Sequence, residues 1–315
     1  MKTFLRIAVS AAVLALLFWR FGTADVLTPC MRADPTDFLV AFAIYLASQV
    51  LSAWRWQKLG EGVGFRVPFA RYCKVYFIGM FFGLVVPSTI GADAARALYL
   101  GRAEPGRARA LSTVVFDRVI GLIGLVAIAI GAILFGPSES LPGWLVLGIL
   151  AVGVLLIGGW LSAPFVVKLL PEGQRWRRLV EEDLTPYFRD PGVILTAFAA
   201  SLVIHALQIW SQDLLVDSIG LAVSRGFVAI YHPLVSLAAA IPFTIGGFGL
   251  REAAYAYLLP YAGILPDDAV ALGLLWWAVG ALGALCGGLV YAVSSSEPIA
   301  LRSPTKVSSA RSRRG

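Results

Sequence analysis

The sequence predicts an all-α, polytopic integral membrane protein with about six full spans and two broken or re-entrant helix pairs in an inverted repeat. Three observations predict it. Hydrophobic residues make up 58% of the 315 positions and charged residues only 14%, against roughly 45–50% and 25% in soluble domains. Such a chain cannot hide its apolar surface by folding on itself in water. The apolar residues are also gathered into runs long enough to cross a bilayer. Finally, two of these runs carry the same interruption. VVPSTIGADAARALYL at 85–100 and AIPFTIGGFGLREAAYAYLL at 240–259 share Pro, a spacer, Thr-Ile-Gly, four further residues and Arg. Pro87, Thr89, Ile90, Gly91 and Arg96 thus match Pro242, Thr244, Ile245, Gly246 and Arg251 without a gap.

A single transmembrane domain is expected over 1–292. The run at 4–19, behind Lys2 and Arg6, has no clean small-residue cleavage site after it and reads as an uncleaved first span. A second span covers 37–54 and ends in Trp54, Arg55, Trp56 and Lys58, a mixture of rings and cations expected at headgroup level. The first broken element occupies 75–100. Full spans follow at 110–135, 143–162 and 191–211, then the second broken element at 226–259. The last span, 269–291, measures roughly 34 Å at 1.5 Å per residue. Between spans, 163–190 holds five basic and five acidic residues with interspersed Leu, Val, Trp and Phe. It reads as a cytoplasmic amphipathic connector or as an ordinary solvated one. Ser, Pro and Arg dominate 293–315, a basic tail expected to be disordered.

Charge sets the expected orientation. The segment 55–74 carries Arg55, Lys58, Arg66, Arg71 and Lys74 against Glu61, and 96–109 carries Arg96, Arg102, Arg107 and Arg109 against Glu104. Opposite segments offer Asp25, Asp34, Glu139, Asp267 and Asp268. The positive-inside rule then places both termini in the cytoplasm, in a multi-pass protein of a bacterial cytoplasmic (inner) membrane. Each broken element would enter from a different side, as in transporters whose inverted repeats expose one central site alternately. The net charge of +7 is assigned to this orientation and to anionic headgroups at the basic cytoplasmic surface; no nucleic-acid partner is expected. Cys30, Cys73 and Cys286 are widely spaced, so neither a disulfide framework nor a metal or other cofactor is expected.

Arg96 and Arg251 are the foremost binding candidates, because each follows a helix break in an apolar background. A guanidinium fork can hold two oxygens of a phosphate, and a restarted helix turns its positive end toward the same anion. Thr89 and Gly91, with Thr244, Gly246 and Gly247, are candidates to line the same site, the glycines leaving backbone N–H groups accessible. Asp93 and Glu252 stand close to those arginines in sequence and either orient them, bind a positive part of a substrate, take up protons, or form structural ion pairs. Asp117 and Arg118 begin a span from which one of them can reach a broken element, and Arg118 is placed to neutralise Asp93 or Asp117. The bland reading makes these charges caps or snorkelling side chains. His205 and His232 are expected to hydrogen-bond within the bundle, and Gly283 and Gly287 to pack helices inside one chain. No nucleotide-binding or hydrolase motif is present.

These segments resemble the lysylphosphatidylglycerol synthase transmembrane family, also called flippase-like domain proteins. The resemblance rests on VPSTIGADAAR at 86–96, STVVFDRVIGL at 112–122 and IPFTIGGFGLRE at 241–252. Pro87, Gly91, Asp93 and Arg96 fit the family's first segment, with Ala92 in place of the usual second glycine. Pro242, Gly246, Gly247, Gly249, Arg251 and Glu252 complete its last one. The resemblance implies translocation or transbilayer sorting of a phosphate-containing lipid: an anionic or aminoacylated phospholipid, or a polyprenyl lipid or glycolipid. The sequence stops soon after its last span, so the aminoacyl-transferase activity of bifunctional members is not expected. The alternatives are a membrane-embedded lipid-phosphate transferase or hydrolase, and a structural partner of a lipid-modifying enzyme.

Overall fold

In a computed structural model, the structure describes residues 22–85, 91–102, 106–135, 142–169, 187, 190–240 and 247–294, with positions 15, 16, 19 and 20. Ten α-helices run through them: α1 Thr23–Arg32, α2 Pro35–Gly62, α3 Phe69–Val85, α4 Gly91–Leu100, α5 Arg107–Phe135, α6 Gly143–Leu169, α7 Pro191–Ser218, α8 Arg225–Ala240, α9 Leu250–Leu258 and α10 Pro266–Ser294. The described residues contain no strand. Five helices, α2, α5, α6, α7 and α10, are long and apolar enough to cross a membrane. They are five of the six expected spans. Most of the sixth, 4–19, and the tail from 295 lie outside the described residues, as does most of the 163–190 connector; α6 continues to Leu169, past the expected end at 162.

Polarity in this bundle is turned inside out. Leu147, Val154, Leu155 and Phe165 on α6, and Leu285, Leu289 and Val293 on α10, face outward, whereas Ser48, Gln49, Ser52, Arg55, Thr113, Asp117, Ser201, Gln212 and Glu252 are buried. In water this arrangement would be unstable; in lipid, the outer side chains are solvated and the interior polar groups need partners.

Two of the long helices, α2 and α7, start on a shared device. Asp34 accepts hydrogen bonds from the backbone N–H of Thr36 (2.7 Å) and Asp37 (3.2 Å), and Asp190 accepts from Gly192 N (3.0 Å). Each cap is followed by proline at the first helical position, where a missing N–H costs nothing. Helices α2 and α7 then pack antiparallel: Asp34 N donates to Ser218 O, Ser211 Oγ to Ala41 O, and Arg55 reaches Ser201.

Both broken elements fold back on themselves. In the first, α3 and α4 lie antiparallel, with Gly79 facing Arg96 and Gly83 facing Ala92. In the second, α8 and α9 do the same, with Gly247 against Ala239 and Tyr231 against Tyr255. The breaks themselves, 86–90 and 241–246, fall outside the described residues. Helix α3 sets out from the end of the bundle where α2 finishes. Helix α8 sets out from the other end, because it lies antiparallel to α7, pairing Arg225 with Asp213 and His232 with His205. The two hairpins therefore point into the bundle from opposite ends. Helix α10 spans both, antiparallel to α3 through Gly283 and Gly287 and to α9 through Gly273 and Trp277. A Cβ on Gly287 would stand 1.9 Å from Phe77 O. The GxxxG pair is thus a packing seam within the chain.

Candidate functional site

The first hairpin brings together a charge cluster with Asp117 at its centre. Asp117 Oδ1 accepts from Arg55 Nε at 2.9 Å and Oδ2 from Arg96 Nη2 at 2.7 Å. All three residues are buried: 2% exposed for Asp117 and 6% for each arginine. Arg55 also donates from Nη1 to Ser201 Oγ at 2.8 Å, and the Ser201 hydroxyl donates in turn to Ala197 O. The Arg96 guanidinium lies between two rings, 4.2 Å from the centre of Trp56 and 4.6 Å from that of Tyr76. Desolvated cation–π contacts of this kind contribute about 2 kcal/mol each. Trp56 is held in turn by its Nε1–H on Thr113 Oγ1 at 3.0 Å.

Small residues make the room. A Cβ at Gly79 would meet Arg96 Cγ at 2.8 Å, one at Gly121 would meet the Arg55 guanidinium at 3.2 Å, and one at Gly124 would strike Ser201. Arg118, on the more exposed side, pairs through Nε with Asp93 Oδ2. Counting formal charges among the described residues, Arg118 and Asp93 cancel, whereas Asp117 offsets only one of Arg55 and Arg96. The inner cluster keeps a net charge of about +1, and Arg96 Nε has no hydrogen-bond acceptor there.

The second hairpin is built differently. Glu252 is fully buried and reaches back with Oε2 to Gly249 N at 2.6 Å, fastening the first turn of α9. Gly247 and Gly249 have φ of 79° and 89°, the left-handed region where a side chain is strained. Gly247 also lies so close to Ala239 that a Cβ would come within 2.7 Å of it. Arg251 N donates to Gly247 O at the restart of the helix. Tyr45 on α2 lies within electrostatic reach of both Arg251 and Tyr76, and Tyr76 covers Arg96.

Of the expected site residues, Arg96, Asp117, Arg118 and Asp93 assemble in one place, with Gly91 at the start of α4. The pairing is crossed: Asp93 serves Arg118, and Asp117 serves Arg96. Arg251, Glu252 and Gly247 gather in the second hairpin. Glu252 and Gly247 hold backbone geometry there. Thr89, Thr244 and Gly246 lie outside the described residues. Sequence reasoning missed Arg55, Trp56, Tyr76 and Ser201. Arg55 and Trp56, expected at headgroup level, are instead buried. Arg55 lies about 10 Å of helix inward from the Gly62 end of α2, because helical rotation carries it to a different face from Trp54. The signal available was the spacing of Ser48, Ser52 and Arg55, a polar stripe on an otherwise apolar helix.

Fold and site together define a polytopic α-helical membrane protein with a buried, net-positive cluster beside the first helical hairpin. The chain belongs to the family described as the lysylphosphatidylglycerol synthase TM region, which matches residues 3–288. It is also similar to a UPF0104 membrane protein of Pyrococcus horikoshii, at 26% identity over 161 residues, which is 50% of this chain and 48% of that protein. The match thus spans about half the length of this curated relative.

Proposed function

We propose that this protein translocates or sorts a phosphate-bearing lipid across a bacterial cytoplasmic membrane, with the headgroup held between the hairpins and the tails left in lipid. The observation that carries this reading is the uncompensated positive charge of Arg55 and Arg96 around a single carboxylate, buried away from water. A buried charge is costly until a counter-charge arrives. A phosphate monoanion offsets it, and the unengaged Arg96 Nε offers a directed N–H. Arg251 supplies a second cation from the opposite hairpin. Motion of one hairpin against the other gives alternating access. In this orientation both termini are cytoplasmic, and the basic segments there rest on anionic lipid or on a lipid-modifying enzyme.

The test is reconstitution in liposomes carrying fluorescent phosphatidylglycerol, phosphatidic acid or a polyprenyl phosphate, with leaflet exposure and product mass measured together. Movement of unchanged lipid, abolished by Arg96→Ala, is expected. A change in product mass would replace transport with a lipid-phosphate transferase or hydrolase. Full movement in Arg96→Ala and Arg251→Ala would remove both residues from the site.

A further inference from the structure

Five neighbouring side chains beyond the arginine cluster are buried with polar atoms left unpartnered among the described residues. They are Glu252 Oε1, both side-chain polar atoms of Gln212, both ring nitrogens of His232, and the hydroxyls of Tyr231 and Tyr255. Each residue is at most 1% exposed. Native interiors pair the great majority of such atoms, and clusters that stay unpaired mark bound water or a ligand. Four of these residues, all but His232, adjoin one another in turn. Asp213, paired with the exposed Arg225 at the mouth, lies within electrostatic reach of Tyr231; the Tyr231 and Tyr255 rings are 5.6 Å apart, and the Tyr255 hydroxyl lies beside Gln212 without completing a hydrogen bond. Tyr255 is one helical turn from Glu252. Across the core, His232 is 6.1 Å from His205, whose Nε2 contacts Gly121 O beside Arg55.

We infer that Glu252 is a proton-carrying residue, that Gln212, Tyr231, Tyr255 and His232 hold the water relaying the proton, and that lipid movement is coupled to it. This rests on the proposed lipid transport and supplies its driving force. Arg251 and Tyr255 on α9 lie within electrostatic reach of Glu252; behind them stand Tyr231 on α8 against Tyr255, Asp213 on α7 against Tyr231 and Tyr45 on α2 against Arg251, while α10 presents Gly273. Arg251 is the only permanent cation among these, and both Glu252 and a lipid phosphate compete for it. A proton binding at Oε1 removes one competitor, so anion and proton bind together. In each cycle one H⁺ leaves water at one face, forms the Oε1–H bond and is released to water at the other. A monoanionic lipid accompanies it, and the cycle is electroneutral.

The test uses the full-length protein in liposomes containing fluorescent phosphatidylglycerol and an internal pH dye, with and without an imposed gradient of one pH unit. The expected result is proton flux that accompanies lipid movement, and a leaflet ratio approaching about tenfold, the value for one proton per lipid. Glu252→Gln loses the flux and the gradient response. Gln212→Leu and Tyr255→Phe slow proton flux and gradient-driven lipid movement together, severalfold, while keeping the monodisperse size-exclusion peak of the parent, which separates a relay defect from misfolding. Lipid movement with no proton flux and no gradient response overturns the coupling and leaves the lipid reading intact. Proton flux that depends on Glu252 with no phosphatidylglycerol movement supports the proton site and counts against the choice of lipid. Flux unchanged in all three variants overturns the site.

Discussion

Asp117 is buried and accepts from two guanidinium groups, so its removal leaves both cations buried and unopposed. Asp117→Asn is expected to cost about 3–5 kcal/mol, the range for breaking a buried pair, whereas Arg118→Ala, half exposed beside Asp93, costs at most about 1 kcal/mol. Thermal unfolding in detergent distinguishes the two. Asp34 gives a prediction on pH. The N–H groups of Asp37 and then Thr36 hold its carboxyl below the usual carboxylate range. Because the folded value is the lower one, its contribution is complete above the ordinary aspartate value and is lost as pH falls through the folded one. The melting temperature of Asp34→Ala should therefore fall below the parent at neutral pH, and the gap should close below about pH 4. At this scale the sequence revealed the charged residues that follow a break or stand isolated in a span, and Asp93 as one of two expected partners of Arg118, but not that Asp117 serves Arg55 and Arg96. Arg55 and Trp56 were hidden by a Trp-Arg-Trp run that resembles a membrane-surface anchor, and the crossed pairing of Asp93 and Asp117 depends on helix rotation that spacing alone does not fix.

Helix pairing sets Ala92 of α4 against a glycine of α3. Its methyl group faces Gly83, and a Cβ placed there would lie 3.1 Å from it. Gly83→Ala should lower the melting temperature modestly, and Ala92→Gly in the same chain should restore it, a coupling read from a double-mutant cycle. Gly287→Ala is expected to be far worse. Its Cβ would meet the Phe77 backbone oxygen at 1.9 Å, so α10 must separate from α3; loss of the monodisperse peak in size-exclusion chromatography is the measurement. Helices α2, α5, α7 and α10 were legible as apolar runs, although α2 continues to Gly62 and α7 to Ser218, past the expected ends at 54 and 211. Helix α1 was not: its ten residues, with Pro29 inside, are too short and too polar to read as a span. It is held by tertiary contact, Val26 against Val270 and Cys30 Sγ near Ala271 O.

For the whole molecule, composition and the repeated PxTIG segment contained the architecture, because a lipid solvent forces apolar residues outward and leaves polar ones inside. The opposite directions of the hairpins follow from helix packing, and they place Arg96 and Arg251 on separate elements. The central claim is that this interior holds a lipid phosphate against Arg55 and Arg96. The most direct test is a cryo-electron microscopy map of the protein in nanodiscs containing phosphatidylglycerol. The account predicts phosphate density within hydrogen-bond distance of Arg96, lost in Arg96→Ala. A well-resolved cluster without such density, with lipid phosphates confined to the two headgroup planes, would contradict it.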